Sequence, residues 1–207
     1  ARREPEDYGG LPMESDPGTH PVYCSIAAHL AGGVIARVAK RSLPDLFRDL
    51  VAVPLEMRRY YLNLAPTGDP YMGGGVRFLP RDFMKLAQVH MDGGRWKGLR
   101  ILPEEWARRS TSPLRDLRGR GYGYLWWVED LPYKNRTVRA FLALGNGGNN
   151  IVGIPELDLV VALYGANYAS RTTGKIREIV PRSILPAVRE PGDDTKAHVV
   201  EGGGGNP

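Results

Sequence analysis

Four histidines, His20, His29, His90 and His198, are the first candidates for metal or acid–base chemistry. Zinc hydrolases place two histidines one helical turn apart with a glutamate between them, because that spacing turns both imidazoles to one side of a helix. None of the four has that spacing or a carboxylate cluster beside it, so no metal site is expected. His29 and His90 read as surface or interface residues of helices, and His198 falls near the C-terminus. Among nucleophiles, no serine stands in a Gly-x-Ser-x-Gly elbow or has a lysine three residues on in a Ser-x-x-Lys pair. Thr172-Thr173-Gly174-Lys175 imitates the second spacing, but a threonine after a strand reads as a helix cap. The single cysteine, Cys24, has no second thiol for a disulfide or a zinc knuckle and no identified base to make it a thiolate.

The chain of 207 residues is 42% hydrophobic and 25% charged, the composition of a globular protein, which excludes collagen-like, disordered and disulfide-scaffold classes. No run reaches the roughly 18 apolar residues of a membrane span. The net charge of +5 invites a nucleic-acid reading. Its densest basic group, Arg108, Arg109, Arg115, Arg118 and Arg120, is interrupted by Ser, Pro, Asp and Gly, and no groove-reading helix or aromatic RNA platform accompanies it, so no nucleic-acid partner is expected. Residues 1–7 are charged, do not start with Met and carry no apolar signal core, which leaves the compartment open.

These residues must be held by elements that the patterning predicts. Residues 1–22 carry no period. Ser25 stands as the N-cap of a helix whose Ile26, Leu30, Val34 and Val38 recur at steps of four. A shorter helix follows over Pro44–Leu50. Gly73-Gly74-Gly75 permits positive φ or close backbone approach, and Pro80 opens a helix with Phe83, Leu86, Ala87 and His90 on one face, ended by Gly93-Gly94. Pro103 with Glu104 and Glu105 starts another, the acids suiting the positive end of the helix dipole. From Tyr122 the period shortens: Tyr122–Val128, Val138–Leu144, Asn150–Ile154 and Leu157–Tyr164 read as three or four antiparallel strands, with a kinked helix over Lys175–Val188 lying on them. The fold class is α+β: residues 1–70 part of a helical region, 71–189 a sheet-and-helix part of the same fold, and 190–207 a disordered tail.

Several short motifs follow one another along this frame. They are Asp16-Pro17-Gly18-Thr19, Tyr23-Cys24-Ser25, Pro54-Leu55-Glu56-Met57, Gly93-Gly94-Arg95-Trp96, Ile101-Leu102-Pro103-Glu104-Glu105-Trp106, Tyr122-Gly123-Tyr124-Leu125-Trp126-Trp127, Gly145-Asn146-Gly147-Gly148 and Pro155-Glu156-Leu157-Asp158-Leu159. In this order they resemble the serine β-lactamase-like hydrolases (class C β-lactamases, D-alanyl-D-alanine carboxypeptidases and related esterases) over about residues 12–188.

The resemblance implies acyl transfer from an ester, amide or lactam to water, with no cofactor. A serine of Ser-x-x-Lys attacks the carbonyl, and the tyrosine of a Tyr-x-Asn or Tyr-x-Ser motif moves its proton; Tyr23 matches that tyrosine. A phenol, with an ordinary pKa near 10, works as a base near neutrality only beside cations or a lysine that shares its proton. Ser25 stands where many members have Asn, so its hydroxyl either touches substrate or caps the helix. Asn146-Gly147-Gly148 resembles the Lys-Thr-Gly or His-x-Gly motif, on a strand whose bare glycine backbone approaches substrate, with the Asn149 N–H turned to the oxyanion. The other reading of these residues is a glycine-rich hairpin. Asn146 puts a neutral amide where the motif has a cation.

The nucleophile's motif is absent from the 207 residues, and the family places it upstream of the tyrosine. The expectation is therefore the C-terminal portion of a longer hydrolase, inactive alone, with the remainder supplied by a missing N-terminal segment or a partner chain. The alternative is a non-catalytic ligand-binding or assembly module of the same fold. The sheet is expected to show an unpaired edge and an uncovered face.

Overall fold

A computed structural model describes residues 12, 15–65, 68–170 and 178–189; the expected tail, 190–207, and Thr172 to Lys175 lie outside the described residues. Helix α1 spans Ser25–Ala39 and α2 spans Leu43–Phe47, continued by a wide turn over Arg48–Ala52. The start of α2 is set by Ser42, whose Oγ accepts the Asp45 N–H at 3.2 Å, with proline inside the first turn where no backbone donor is needed. Two-residue strands β1 (Tyr60–Tyr61) and β2 (Arg77–Phe78) pair across the glycine loop. Helix α3, Pro80–Met91, begins at its proline as expected, and Gly93 and Gly94 end it at φ 58° and 87°. Strands β3 (Arg95–Trp96) and β4 (Leu99–Arg100) form a small hairpin before helix α4, Glu104–Ser110.

The rest builds one antiparallel sheet of six strands rather than three or four. They are β5 (Arg115–Asp116), β6 (Gly121–Tyr122), β7 (Trp127–Tyr133), β8 (Arg136–Gly145), β9 (Asn149–Ile154) and β10 (Leu159–Leu163), with β10-β9-β8-β7-β6-β5 as spatial order. The expected single strand over Tyr122–Val128 is instead a chain reversal between β6 and β7, where Gly123 donates to the Trp126 carbonyl at 2.8 Å and Leu125 turns at φ 66°.

Alternation along the strands gives the sheet two apolar faces. Val138, Ala140 and Leu142 of β8, with Val152 and Ile154 of β9, meet Val180 and Leu185 of the C-terminal segment. That segment is a wide turn over Val180–Ile184 and a tight one over Leu185–Ala187, not a regular helix. On the opposite face Phe141 and Ile151 pack with Trp126 under Ala87, Phe83 and Leu86 of α3. Gly153 is required there, because a Cβ would lie 2.3 Å from the Phe141 ring. Full burial of a side chain such as Ile151 or Ile154 contributes roughly 1.5–3 kcal/mol. A third cluster, Ala52, Leu55, Met57 and Val89, joins the α2 region to α3.

Helix α1 departs from expectation in which side it buries. Ile26, Leu30, Val34 and Val38 keep their steps of four but face solvent, Val38 at 78% exposure, while His29 and Gly32 point inward. Gly32 lets the helix seat on Met72 and Leu43, as a Cβ would lie 2.5 Å from Met72 Cγ. Ser25 is the first helical residue, and Cys24, with extended backbone, occupies the cap position without a side-chain bond. Strand β10 ends the sheet order and leaves its outer edge unpaired among the described residues.

Candidate active site

Tyr23 emerges just ahead of α1 and lays its ring on an aromatic platform from the sheet. It stacks on Trp127 with centroids 5.6 Å apart and meets Tyr122 edge-on at 6.1 Å. The register Tyr122↔Trp127 of β6 and β7 places the two platform rings side by side, 4.8 Å apart. The Arg120 guanidinium lies 4.1 Å from the Trp127 ring centroid and pairs with Glu129. Tyr23 is 47% exposed, so a residue anchored on this platform is still open to solvent. Burial, reinforced by Tyr23, pushes the Tyr122 phenol up to about 12, so Tyr122 stays neutral and cannot serve as the base.

Beside Tyr23, Ser25 is met by the glycine loop. A Cβ on Gly73 would lie 2.9 Å from the Ser25 Cβ and 2.6 Å from the Tyr71 hydroxyl, which is the close approach that the glycine triplet predicts. His29 is buried at an interface, one of its two expected places: its Nδ1 accepts the Met72 N–H at 3.4 Å and its ring meets Tyr71. His90 packs edge-on against Trp126, and its Nδ1 lies 2.7 Å from the Leu86 carbonyl. Burial depresses its pKa, and it is half-buried between α3 and the sheet. Among the described residues no three His, Cys, Asp or Glu gather as metal ligands.

The stretch Gly145–Asn149 is a reversal between two central strands, in keeping with the glycine-rich hairpin that is one of its two readings. Asn146–Gly148 form a tight turn with Gly147 at φ 80° and Gly148 at φ 90°, conformations that glycine adopts without strain. Asn146 Oδ1 accepts the Gly147 N–H at 2.8 Å. Asn149 Nδ2 donates to the carbonyls of Asn146 at 2.8 Å and Gly165 at 3.1 Å. Asn167 N–H donates to the Gly147 carbonyl, and the Tyr168 ring occupies the space a Gly147 side chain would take. Gly147 and Gly148 are thereby buried.

Among the described residues no hydrogen bond or ring contact joins Tyr23 to this turn. Trp127 pairs with Leu142, three residues before Gly145, so the turn begins about 10 Å along β8 from the Tyr23 platform. The candidate aromatics also separate. Trp126 enters the core, Trp127 carries Tyr23, Tyr60 packs on Phe47 at 5.0 Å, and Tyr61 lies outside with Arg77 over its ring. Residue types alone missed the Tyr122–Trp127–Arg120 platform; alternation along the strand, which parts Trp126 from Trp127, is the signal that could have found half of it. Loops on either side of the sequence form concavities: Asn63, Pro70 and Tyr71 line an apolar cavity of about 310 Å³ with Leu43, Phe47 and Phe78.

The family model described as Beta-lactamase matches residues 5–174. The chain belongs to the Beta-lactamase family. No curated protein matches it in sequence. Among solved structures, it is similar to a putative 6-aminohexanoate-dimer hydrolase from Bacillus anthracis, at 19% identity and TM-score 0.67 over 79% of this chain and 43% of that one. A penicillin-binding protein from Bacillus halodurans gives 15% identity and TM-score 0.65 over 86% and 62%. A D-amino acid amidase from Ochrobactrum anthropi gives 17% identity and TM-score 0.57 over 81% and 58%. Identities this low show the shared fold, here the β-lactamase-like α+β arrangement. The chain spans about half the length of these structures. Among the described residues no helix is long and apolar enough to cross a membrane.

Proposed function

We propose that this chain forms the proton-transfer side of a serine hydrolase site that acts through an acyl-enzyme on a small ester, amide or β-lactam. The observation that carries the reading is Tyr23 of Tyr-Cys-Ser, anchored by Trp127 and Tyr122 with an accessible phenol and an adjacent Ser25 hydroxyl. In this reading the phenol takes the proton of the attacking serine and returns it to the leaving group. Ser25 contacts the substrate, the Asn146–Gly147–Gly148 turn walls the cleft, and the Asn149 backbone N–H is one oxyanion donor. A serine-bearing segment seated between Tyr23 and the turn would close the gap that now separates them.

The attacking serine belongs, in this reading, to polypeptide other than the 207 residues, since they contain no Ser-x-x-Lys. A fluorophosphonate probe followed by intact mass tests this. The 207-residue chain should remain unlabelled, and supplying a segment that bears Ser-x-x-Lys should give one label per molecule. Stoichiometric serine labelling of the 207 residues alone would overturn the assignment. The exposed α1 stripe favours a second reading, an assembly module of the same fold, which predicts partner binding with no labelling in either form.

A further inference from the structure

We infer that the ion pair of Arg120 and Glu129 is a positioning device for Tyr23: it fixes the Trp127 ring on which the Tyr23 ring lies. The pair and the aromatic platform are one block of the β6–β7 ladder. Tyr122 faces Trp127, and Gly121 faces Val128. The same register, continued by one pair, sets Arg120 opposite Glu129, two positions along from the aromatic pair and therefore on the same face of the sheet. Across this block the Arg120 guanidinium reaches diagonally to within 4.1 Å of the Trp127 ring centroid while pairing with Glu129. Among the described residues the next nearest cations over a ring, Lys134 and Arg136 at Tyr133, stand 5.1 and 5.2 Å away.

The backbone at Arg120 is set by the turn before it. Arg118 and Gly119 adopt φ 59° and 76°, both left-handed as a tight hairpin between β5 and β6 requires. Asp116 Oδ1 accepts the Gly119 N–H at 2.9 Å, and Leu117 N–H donates to the Arg120 carbonyl at 2.8 Å. Arg120 therefore leaves a closed turn and points along a fixed face.

The place of the pair argues for more than stability. Glu129 alternates with Leu131 and Tyr133 along β7, and its partner in β8 is Ala140; all three of these neighbours belong to the apolar cluster that meets the C-terminal segment. The Arg120 and Glu129 side chains are only 24% and 15% exposed, whereas Arg139 and Asp130, paired on the other face, are in solvent. Two leucines would serve such a position about as well for folding, because the cost of drying two charges offsets most of their attraction. Leucines would not supply a flat cation against the indole. With that cation on it, the half-buried Trp127 ring offers a single orientation to the Tyr23 ring, 5.6 Å away and 25° from parallel.

The consequence for acyl transfer rests on Tyr23 carrying the proton; the hold on the Tyr23 ring does not. Aromatic proton NMR of the 207-residue chain reads that hold directly. Stacking on an indole displaces the Tyr23 ring protons upfield, a signal assigned by its disappearance in Tyr23→Phe and removed by Trp127→Leu. Arg120→Leu/Glu129→Leu should lose most of the displacement while keeping the parent's urea midpoint, a combination that a merely structural pair would not give. Glu129→Gln, a change of one atom, should lose part of it, and Asp130→Asn, the same change in the solvent-exposed pair, should lose none. A displacement unchanged in Glu129→Gln, lost only in step with a falling urea midpoint, or reduced as much by Asp130→Asn, overturns the proposal. In the polypeptide that includes its Ser-x-x-Lys, the leucine pair should slow single-turnover acylation about tenfold, with the substrate concentration for half-maximal rate unchanged, as misalignment of a proton carrier predicts. Acylation slowed in Tyr23→Phe but not in the leucine pair overturns the positioning role. Parent rates in both remove the hydrolase reading and leave the hold on Tyr23 standing.

Discussion

Tyr23 and Tyr122 are the same residue type 6.1 Å apart, yet the structure sets them different tasks. Tyr23 is accessible; Tyr122 is walled in, and its folded pKa of about 12 lies above the ordinary 10.0. A phenol whose pKa is raised by folding contributes stability that is fully present below its unfolded pKa and is lost as pH climbs through the folded one. Urea midpoints should therefore fall between pH 10 and 12, and Tyr122→Phe should flatten that fall; an identical slope in the variant would refute the assignment. Asp82 works in the opposite direction. Its burial raises the pKa, but the Lys85 ammonium at 2.6 Å and the Arg58 N–H at 3.0 Å outweigh that and hold it below the usual carboxylate range. Its contribution is present above the unfolded pKa and is lost on acidification. Asp82→Ala strands Lys85 in a largely buried position and should cost about 3 kcal/mol by chemical denaturation at pH 7; a loss below about 0.5 kcal/mol would place this pair with weak surface bridges.

Among the elements, the β6–β7 reversal is where local sequence and tertiary structure disagree most. Leu125 is exposed at φ 66°, a conformation that costs a residue with a Cβ roughly 1–2 kcal/mol. Leu125→Asn should raise the thermal midpoint by a few degrees, because Asn tolerates the left-handed region and no apolar contact is sacrificed. A lowered midpoint would mean that Leu125 makes contacts that the fold needs. The run Tyr122–Val128 reads as one strand because its aromatics and Val128 favour β structure, and Gly123, forced against the Ser110 carbonyl, is the residue that reveals that it doubles back. Strands β8, β9 and β10 were legible because hydrophobic alternation and turn residues agree there. At Gly145–Asn149 the residues leave two readings open, because two glycines permit either a bare strand or positive φ, and only the pairing of β8 with β9 shows the hairpin with positive φ. In α1 the period of four was legible. Which side it buries was not, because Gly32 docks against Met72 and Leu43, residues remote in sequence or across a turn.

At the scale of the molecule, the exposed stripe of α1 and the edge of β10, unpaired among the described residues, are surfaces that association would take out of water. Light scattering coupled to size exclusion should find the 207-residue chain larger than a 22.9 kDa monomer at micromolar concentration. Leu30→Lys with Val34→Lys should reduce that association without lowering the thermal midpoint, since both side chains are already in solvent. A monodisperse monomer would show the stripe to be inert. The family match and the α+β sheet were legible in motif order, whereas the separation of Tyr23 from the Asn146–Asn149 turn was not, because it depends on where a strand turns in space. The central claim is that the Tyr23 phenol carries the proton in acylation. Single-turnover acylation of the polypeptide that includes its Ser-x-x-Lys measures this directly: Tyr23→Phe, which keeps the ring on Trp127, should slow acylation by about 10²–10⁴ with the fold unchanged. An acylation rate equal to that of the parent would contradict it.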